Sequence, residues 1–172
     1  MRSFNSSYCG RFAPSPTGSL HFGSLVAAVG SYLDAKFNQG KWLVRIEDLD
    51  WQRTVPGAAK EILYTLEALG MEWDDTVVYQ SQRTKIYQDA LNELNQLGMI
   101  YPCTCSRKEI ADSSILGLHG PIYPGTCFKN RLPVNGAHSR RIHTHNHPIL
   151  CYGVLKGEYS QTPNSEVGDC VL

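Results

Sequence analysis

The chain has 172 residues and a mass of 19.2 kDa, a size that suits one ordinary domain and excludes a two-domain enzyme of usual dimensions. Hydrophobic residues make up 42% and charged residues 19%, which excludes a disordered or collagenous chain, and 16 Lys+Arg balance 16 Asp+Glu, so no bulk field draws it to nucleic acid or an anionic membrane. No apolar run approaches the ~20 residues of a membrane span, and the start of the chain lacks the apolar core and cleavage site of a secretory signal, so a cytoplasmic protein is expected.

Tyr8 to Phe12 reads as a short strand, closed by Ala13-Pro14-Ser15-Pro16-Thr17-Gly18, whose two prolines and glycine forbid a regular element. From Leu20 the apolar residues Phe22, Leu25, Val26, Val29, Leu33 and Phe37 recur at three and four, one stripe of a helix with Ser19 as N-cap and Asn38-Gln39-Gly40 as its stop. Trp42 to Glu47 is rich in β-formers and ends in the acidic turn Glu47-Asp48-Leu49-Asp50, so the chain opens as β-loop-α-β, a parallel right-handed crossover. Pro56 opens a second helix with Ala59, Ile62, Leu63, Leu66 and Leu69 inside and Gly70 closing it. A third, from Thr84 to Leu97, carries Tyr87, Ala90, Leu91, Leu94 and Leu97 on one face and stops at Gly98.

Beyond Gly98 the periodicity fades. Met99-Ile100-Tyr101 suggests a strand, but residues 102 to 147 are turn formers, cysteines, histidines and bases, a composition that needs an outside source of stability such as a metal. No Asp or Glu lies between Asp112 and Glu158, an interval that holds Lys129, Arg131, Arg140, Arg141, Lys156 and five of the six histidines. Glu166 to Leu172 reads as the opening of an apolar strand.

Three constellations carry chemistry. Gly10 to Ser24 lies at a strand-to-helix junction, where an open α/β sheet binds its ligand outside the carboxyl ends of the strands. The helix start offers unpaired N–H groups to a phosphate, Gly18 and Gly23 leave room for close approach, and Arg11 has the forked donors to hold a carboxylate. The loop matches neither the Walker A pattern nor the dinucleotide fingerprint. In the second constellation, Cys103 and Cys105 can face one ion and Cys127, returning from a turn-rich loop, can complete a closed zinc site. Chemistry alone prefers His119 as the fourth ligand over Tyr123, because a phenolate is costly at the ordinary tyrosine pKa of ~10. The third is His138 to His147, where His143, His145 and His147 would share one face of a strand and bind a metal, or lie in a solvated loop. With Lys129, Arg131, Arg140 and Arg141 that segment would add salt-sensitive contacts to an RNA backbone.

Pro14-Ser15-Pro16-Thr17-Gly18-Ser19-Leu20-His21-Phe22-Gly23 resembles the HIGH signature of class I aminoacyl-tRNA synthetases in the form of their glutamyl branch, and Arg45-Ile46-Glu47-Asp48-Leu49-Asp50 resembles that branch's second motif. Within the branch, His21 to Leu25 followed by Gly30-Ser31-Tyr32-Leu33, and Arg53 ahead of Val55-Pro56-Gly57-Ala58, is most similar to the glutamyl-Q tRNA(Asp) synthetases, shortened relatives without an anticodon-binding domain. The likeness is close over about residues 8 to 130. It implies an α/β fold, with the first half of a Rossmann-like parallel sheet over residues 1–100, a small zinc-binding insertion over 101–130 and a basic, His-rich continuation over 131–172.

The same resemblance implies ATP-dependent activation of L-glutamate and its transfer to the queuosine base of tRNA(Asp), by a monomer with no membrane association. Arg11, Phe12, Ala13, Pro14 and Ser15 would wall the glutamate pocket, Arg11 pairing a substrate carboxylate and Glu47 accepting the ammonium. Pro14, Thr17, Gly18, His21, Gly23 and Ser24 would hold ATP, with His21 and Gly23 in the catalytic role of stabilising charge as the glutamate carboxylate attacks the α-phosphate. Mg2+ would arrive with the nucleotide. The implied zinc set is Cys103, Cys105, Tyr123 and Cys127, the ion pinning an insertion that packs against the acceptor arm of tRNA.

The branch also carries a Tyr and an Arg of the glutamate pocket and a KMSKS-like loop that have no counterpart here, and Cys170 stands where it favours an aromatic. A C-terminally truncated chain is therefore expected, inactive or nearly so by itself and with an unpaired strand edge. The alternative is a non-catalytic, zinc-containing remnant that binds RNA or a partner.

Overall fold

A computed structural model describes residues 8–117, 120–130, 138–153 and 157–172, and it divides the chain into two units, Met1–Tyr87 and Gln88–Leu172. In the first unit, β1 (Cys9–Phe12) leads through the proline loop into α1 (Phe22–Phe37) and back to β2 (Lys41–Ile46). β2 lies parallel to β1, with Cys9 opposite Lys41 and Phe12 opposite Val44, which is the expected crossover. After α2 (Ala58–Ala68), β3 (Val78–Tyr79) adds parallel to β2 and gives the order β1-β2-β3. A strand of two residues has no period to read, and the sequence did not reveal it.

Alternation along β2 buries Trp42, Val44 and Ile46 on one face, and α2 covers them with Ile62 and Leu66. The Trp42 ring has no exposed area; it stacks on Phe12 at 6.3 Å, meets the edge of Tyr32 at 5.2 Å and donates through Nε1 to Ser31 Oγ at 3.0 Å. Leu69, expected inside, is 57% exposed at the C-cap of α2.

Two expectations for α1 are corrected. Its N-cap is His21, whose Nδ1 accepts the Ser24 N–H at 3.2 Å, whereas Ser19 Oγ donates to Glu61 Oε1 at 2.6 Å. Its buried residues are Ala28 and Ala35, while Phe22, Val26, Val29, Leu33 and Phe37 are exposed, Phe22 by 82% and Phe37 by 86%. Small side chains let a helix lie close on a sheet, so the period traced by the largest apolar residues runs along the outer face.

α3 (Thr84–Gln96) spans the division between the units, half-burying Tyr87, Leu91 and Leu94. In the second unit β4 (Ile100–Cys103) leads to α4 (Arg107–Ser113), which opens on a capping box: Ser106 Oγ accepts from Glu109 N at 3.2 Å, and Glu109 Oε2 accepts from Ser106 N at 2.7 Å. An antiparallel pair, β5 (Ile115–Gly117) and β6 (Gly120–Ile122), precedes α5 (Thr126–Asn130). β7 (Ser139–Ile142) returns antiparallel to β4, so residues on both sides of position 130 share one unit. β8 (Ile149–Gly153) and β9 (Gly157–Gln161) pair antiparallel ahead of α6 (Pro163–Glu166).

The strand expected over residues 166–172 is absent among the described residues; Gly168 and Val171 form single bridges to Tyr123 and Arg141. Asp169 between them turns inward, 4% exposed, where Oδ1 accepts from Thr144 N at 2.8 Å and Thr144 Oγ1 at 2.9 Å, and Oδ2 accepts from the Tyr101 hydroxyl at 2.5 Å. Arg141 Nη1 donates to the Asp169 carbonyl at 2.7 Å. Burial alone would raise the Asp169 carboxyl, but the hydrogen bonds from Tyr101 and Thr144 outweigh it and hold the group below its ordinary 3.8.

A depressed carboxyl stabilises the fold above its ordinary pKa and loses that contribution as pH falls through the lower folded value. Acid unfolding of the second unit should therefore set in below the ordinary 3.8, and Asp169→Asn should remove that pH dependence and cost about 1–3 kcal/mol at neutral pH by stripping charge from an acceptor that Tyr101, Thr144 and His143 engage. Near-ultraviolet circular dichroism against pH for both proteins checks this. Among the described residues no helix is long and apolar enough to cross a membrane.

Candidate functional site

The carboxyl end of β1, the proline loop and the start of α1 frame a cavity of about 400 Å3. Its shape is fixed by the backbone: Glu47 N donates to the Pro14 carbonyl and Val55 N to the Pro16 carbonyl, both at 2.9 Å, with both prolines buried. Phe12, Ala13, Pro14 and Ser15 form one side, and Thr17, Gly18, His21, Gly23 and Ser24 the other. Gly18 sits at φ 139°, and a Cβ on Gly23 would come within 3.1 Å of the His21 ring. The first turn of α1 carries no acidic residue, so its partial positive charge faces the cavity uncompensated, as an anion requires.

Arg11 and Glu47 do not line this cavity. Arg11 is exposed near the end of β1, and Glu47 follows β2 with its Oε1 taking Arg45 Nη2 at 2.6 Å. Arg45, which shares the motif of Glu47, has no local signal of this role, and its buried Nε has no partner among the described residues. Asp48 accepts from Ser81 N at 2.9 Å and Ser81 Oγ at 2.6 Å, tying the acidic turn to residues 33 positions away, a link with no local signal. Burial of Asp48 is outweighed by those two bonds, which lower its carboxyl.

A second site forms where Cys103 at the end of β4, Cys105 before α4, Tyr123 after β6 and Cys127 in α5 converge. The three Sγ atoms lie within 4.8 Å of one another, Cys105 and Cys127 at 3.5 Å, and the Tyr123 hydroxyl lies 3.4 Å from Cys103 Sγ and 3.5 Å from Cys105 Sγ. Four ligands at tetrahedral zinc, with bonds of ~2.3 Å to sulfur and ~2.0 Å to oxygen, stand about 3.5–3.8 Å apart, so this set fits such an ion.

Burial pushes the Cys105 thiol up to about 11 and raises the Tyr123 phenol further. For Cys127 burial is outweighed by hydrogen bonds from Tyr123, the Thr104 backbone and the other two cysteines, bringing it down to about 6 and making it the readiest thiolate. The Cys127 N–H donates to the Tyr123 hydroxyl at 3.0 Å, and the Arg141 guanidinium lies 4.0 Å over the Tyr123 ring. His119, Arg131 and Lys156 fall outside the described residues.

The alternating histidines do not share a strand. β7 ends at Ile142; the His143 ring stacks on Phe128 at 3.9 Å, and His145 Nδ1 accepts the His147 N–H in a local turn ahead of Pro148, which has no N–H to offer a ladder. Among the described residues the three cysteines form the one group of three or more metal-ligating side chains that converge.

The family described as tRNA synthetases class I (E and Q), catalytic domain, matches residues 9–114. A glutamyl-Q tRNA(Asp) synthetase of Dechloromonas aromatica is 53% identical over 98% of this chain and 56% of its own length. One from Chromobacterium violaceum is 51% identical over 98% and 56%. The chain thus spans about half the length of the curated relatives it matches. Among solved structures, a glutamate tRNA ligase of Elizabethkingia meningosepticum in complex with its amino acid superposes with TM-score 0.74 at 25% identity, over 97% of this chain and 38% of that one. The glutamate-tRNA synthetase of Elizabethkingia anophelis gives 0.75 at 25% identity, over 97% and 39%.

Proposed function

The chain belongs to the class I tRNA synthetases of the E and Q type, through their catalytic domain, and from that premise we propose that it binds L-glutamate and ATP at the start of α1 and activates glutamate for transfer to the queuosine base of tRNA(Asp). The observation that carries the reading is the cavity between the proline loop and the uncompensated N-terminus of α1, lined by the residues an anionic nucleotide needs. Thr17, Gly18, His21, Gly23 and Ser24 receive ATP, with His21 fixed by its two contacts to Ser24. Arg11 pairs the amino-acid carboxylate that does not react, and Glu47, leaving Arg45, accepts the ammonium.

The reacting carboxylate oxygen attacks the α-phosphate, pyrophosphate leaves, and the helix start and His21 stabilise the charge that builds there, with no covalent protein nucleophile. Mg2+ accompanies the triphosphate. Cys103, Cys105, Tyr123 and Cys127 would hold one zinc ion, whose part is to fold the second unit. The same reading takes the protein as a cytoplasmic monomer.

Calorimetric titration tests the pocket. L-glutamate is expected to bind in the presence of ATP and Mg2+, and Arg11→Ala and Glu47→Ala should each weaken it by about 2–4 kcal/mol, since each leaves a charged substrate group unpaired. Unchanged affinity in both variants would remove the pocket. Glutamate-dependent exchange of pyrophosphate into ATP assigns catalysis to this chain; zinc and RNA binding without exchange assigns it to a non-catalytic module.

A further inference from the structure

Phe22, Val26, Val29, Leu33 and Phe37 share one exposed face of α1 and form a ridge along its length, flanked by the helix's two charged residues, Asp34 and Lys36. The ridge reads alike from either end. Counted from the midpoint between Val29 and Gly30, Val26 and Leu33 stand at equal distances on opposite sides, and so do Phe22 and Phe37. Gly30 has open space where a Cβ would stand, so the ridge is notched at its centre. Neither flanking charge is stranded: Lys36 Nζ is held by Asp74 Oδ2 at 3.1 Å, and Asp34 accepts from the Tyr8 hydroxyl and from Asn38 Nδ2.

We propose that this ridge binds its counterpart on a second copy of the chain, the two α1 helices running antiparallel about a two-fold axis at Val29 and Gly30. A closed pair needs one patch that complements itself, and a ridge shaped for a different partner has no reason to be symmetric. The antiparallel arrangement sets Phe22 level with the partner's Phe37 and Val26 level with the partner's Leu33, while Gly30 lets the two backbones approach at the axis. With roughly 200 Å2 for each phenylalanine and less for each aliphatic residue, covering both ridges buries on the order of 1,000 Å2, the low end of specific interfaces. A dissociation constant on the order of 10 μM follows. At dilution the chain is then the monomer taken above, and the pairing is independent of glutamate and ATP.

Sedimentation velocity of the full 172-residue chain over about 1 to 200 μM tests it, with a monomer–dimer equilibrium as the expected result. Phe22→Glu and Phe37→Lys should each weaken the pair at least about tenfold, since each removes an aromatic contact at both ends of the interface. Their charges suit the first and last turns of a helix, so neither costs α1 its stability. The double variant should pair at least about threefold more tightly than either single one, because opposite charges then meet at both ends of an antiparallel pair, whereas a parallel pair would set like charges together. A chain that stays monomeric throughout would overturn the proposal and leave the ridge to a segment of the kind that the relatives' longer chains hold. A dimer unmoved by either single variant, association beyond the dimer, or a double variant weaker than both single ones would overturn it as well.

Discussion

Replacing Cys127 with serine is expected to abolish stoichiometric zinc and to unfold residues 88–172 while leaving the sheet of β1, β2 and β3 intact. Among the described residues the buried cluster of the second unit is Cys103, Tyr123 and Cys127, 2%, 6% and 8% exposed, with Tyr101, Cys105 and Ile110 around them, and Ile100 is the one other buried apolar side chain there. A structural zinc site contributes about 10–16 kcal/mol of apparent binding energy to folding, more than the whole stability of most small domains. A strong chelator should reproduce the variant. Metal content together with amide exchange across both units checks the claim, and protection that persists in residues 88–172 without metal would refute it. Tyr123→Phe and His119→Ala, compared side by side, assign the fourth ligand: loss of metal only in the His119 variant would displace Tyr123.

Trp42→Ala should cost the first unit about 3–5 kcal/mol, the range for truncating a large buried aromatic. The ring has no exposed area and touches the strand beside it through Phe12 and α1 through Tyr32 and Ser31. Removing it opens a cavity where β1, β2 and α1 meet, and the rigid sheet can collapse only partly to fill it. Trp42→Phe keeps most of the volume and loses the Nε1 bond, so about 1–2 kcal/mol is expected. Urea unfolding with an unchanged m-value measures both, and a loss below about 1 kcal/mol for the alanine variant would show that Trp42 is not the keystone.

The elements legible in the sequence were those whose signal is local. The proline loop, the crossover from β1 to β2 and the cysteine spacing each declare themselves within a few residues. Family resemblance points to Tyr123 where isolated ligand chemistry points to His119, and the structure brings the Tyr123 hydroxyl among the thiols. What stayed hidden depends on distant partners. Asp169 meets Tyr101 across 68 positions, and the pattern around it, Gly168-Asp169-Cys170-Val171, looks like a strand until that partner is known. The orientation of α1 departs from its apolar period for a different reason: hydrophobicity marks which side chains avoid water, whereas contact with a sheet at close range selects small ones such as Ala28 and Ala35.

That orientation governs how the protein behaves in a tube. From Phe22 to Phe37 the outer stripe of α1 runs for about 22 Å at 1.5 Å per residue, with two phenylalanines at its ends and Val26, Val29 and Leu33 between them. A ridge of that length and chemistry adsorbs environment-sensitive dyes, retards the molecule on phenyl resins and grows stickier as sulfate or phosphate is added, because excluded salts strengthen every apolar contact. Purification by salting-out therefore concentrates the chain under the very conditions that drive copies together, while low salt and mild detergent keep them apart.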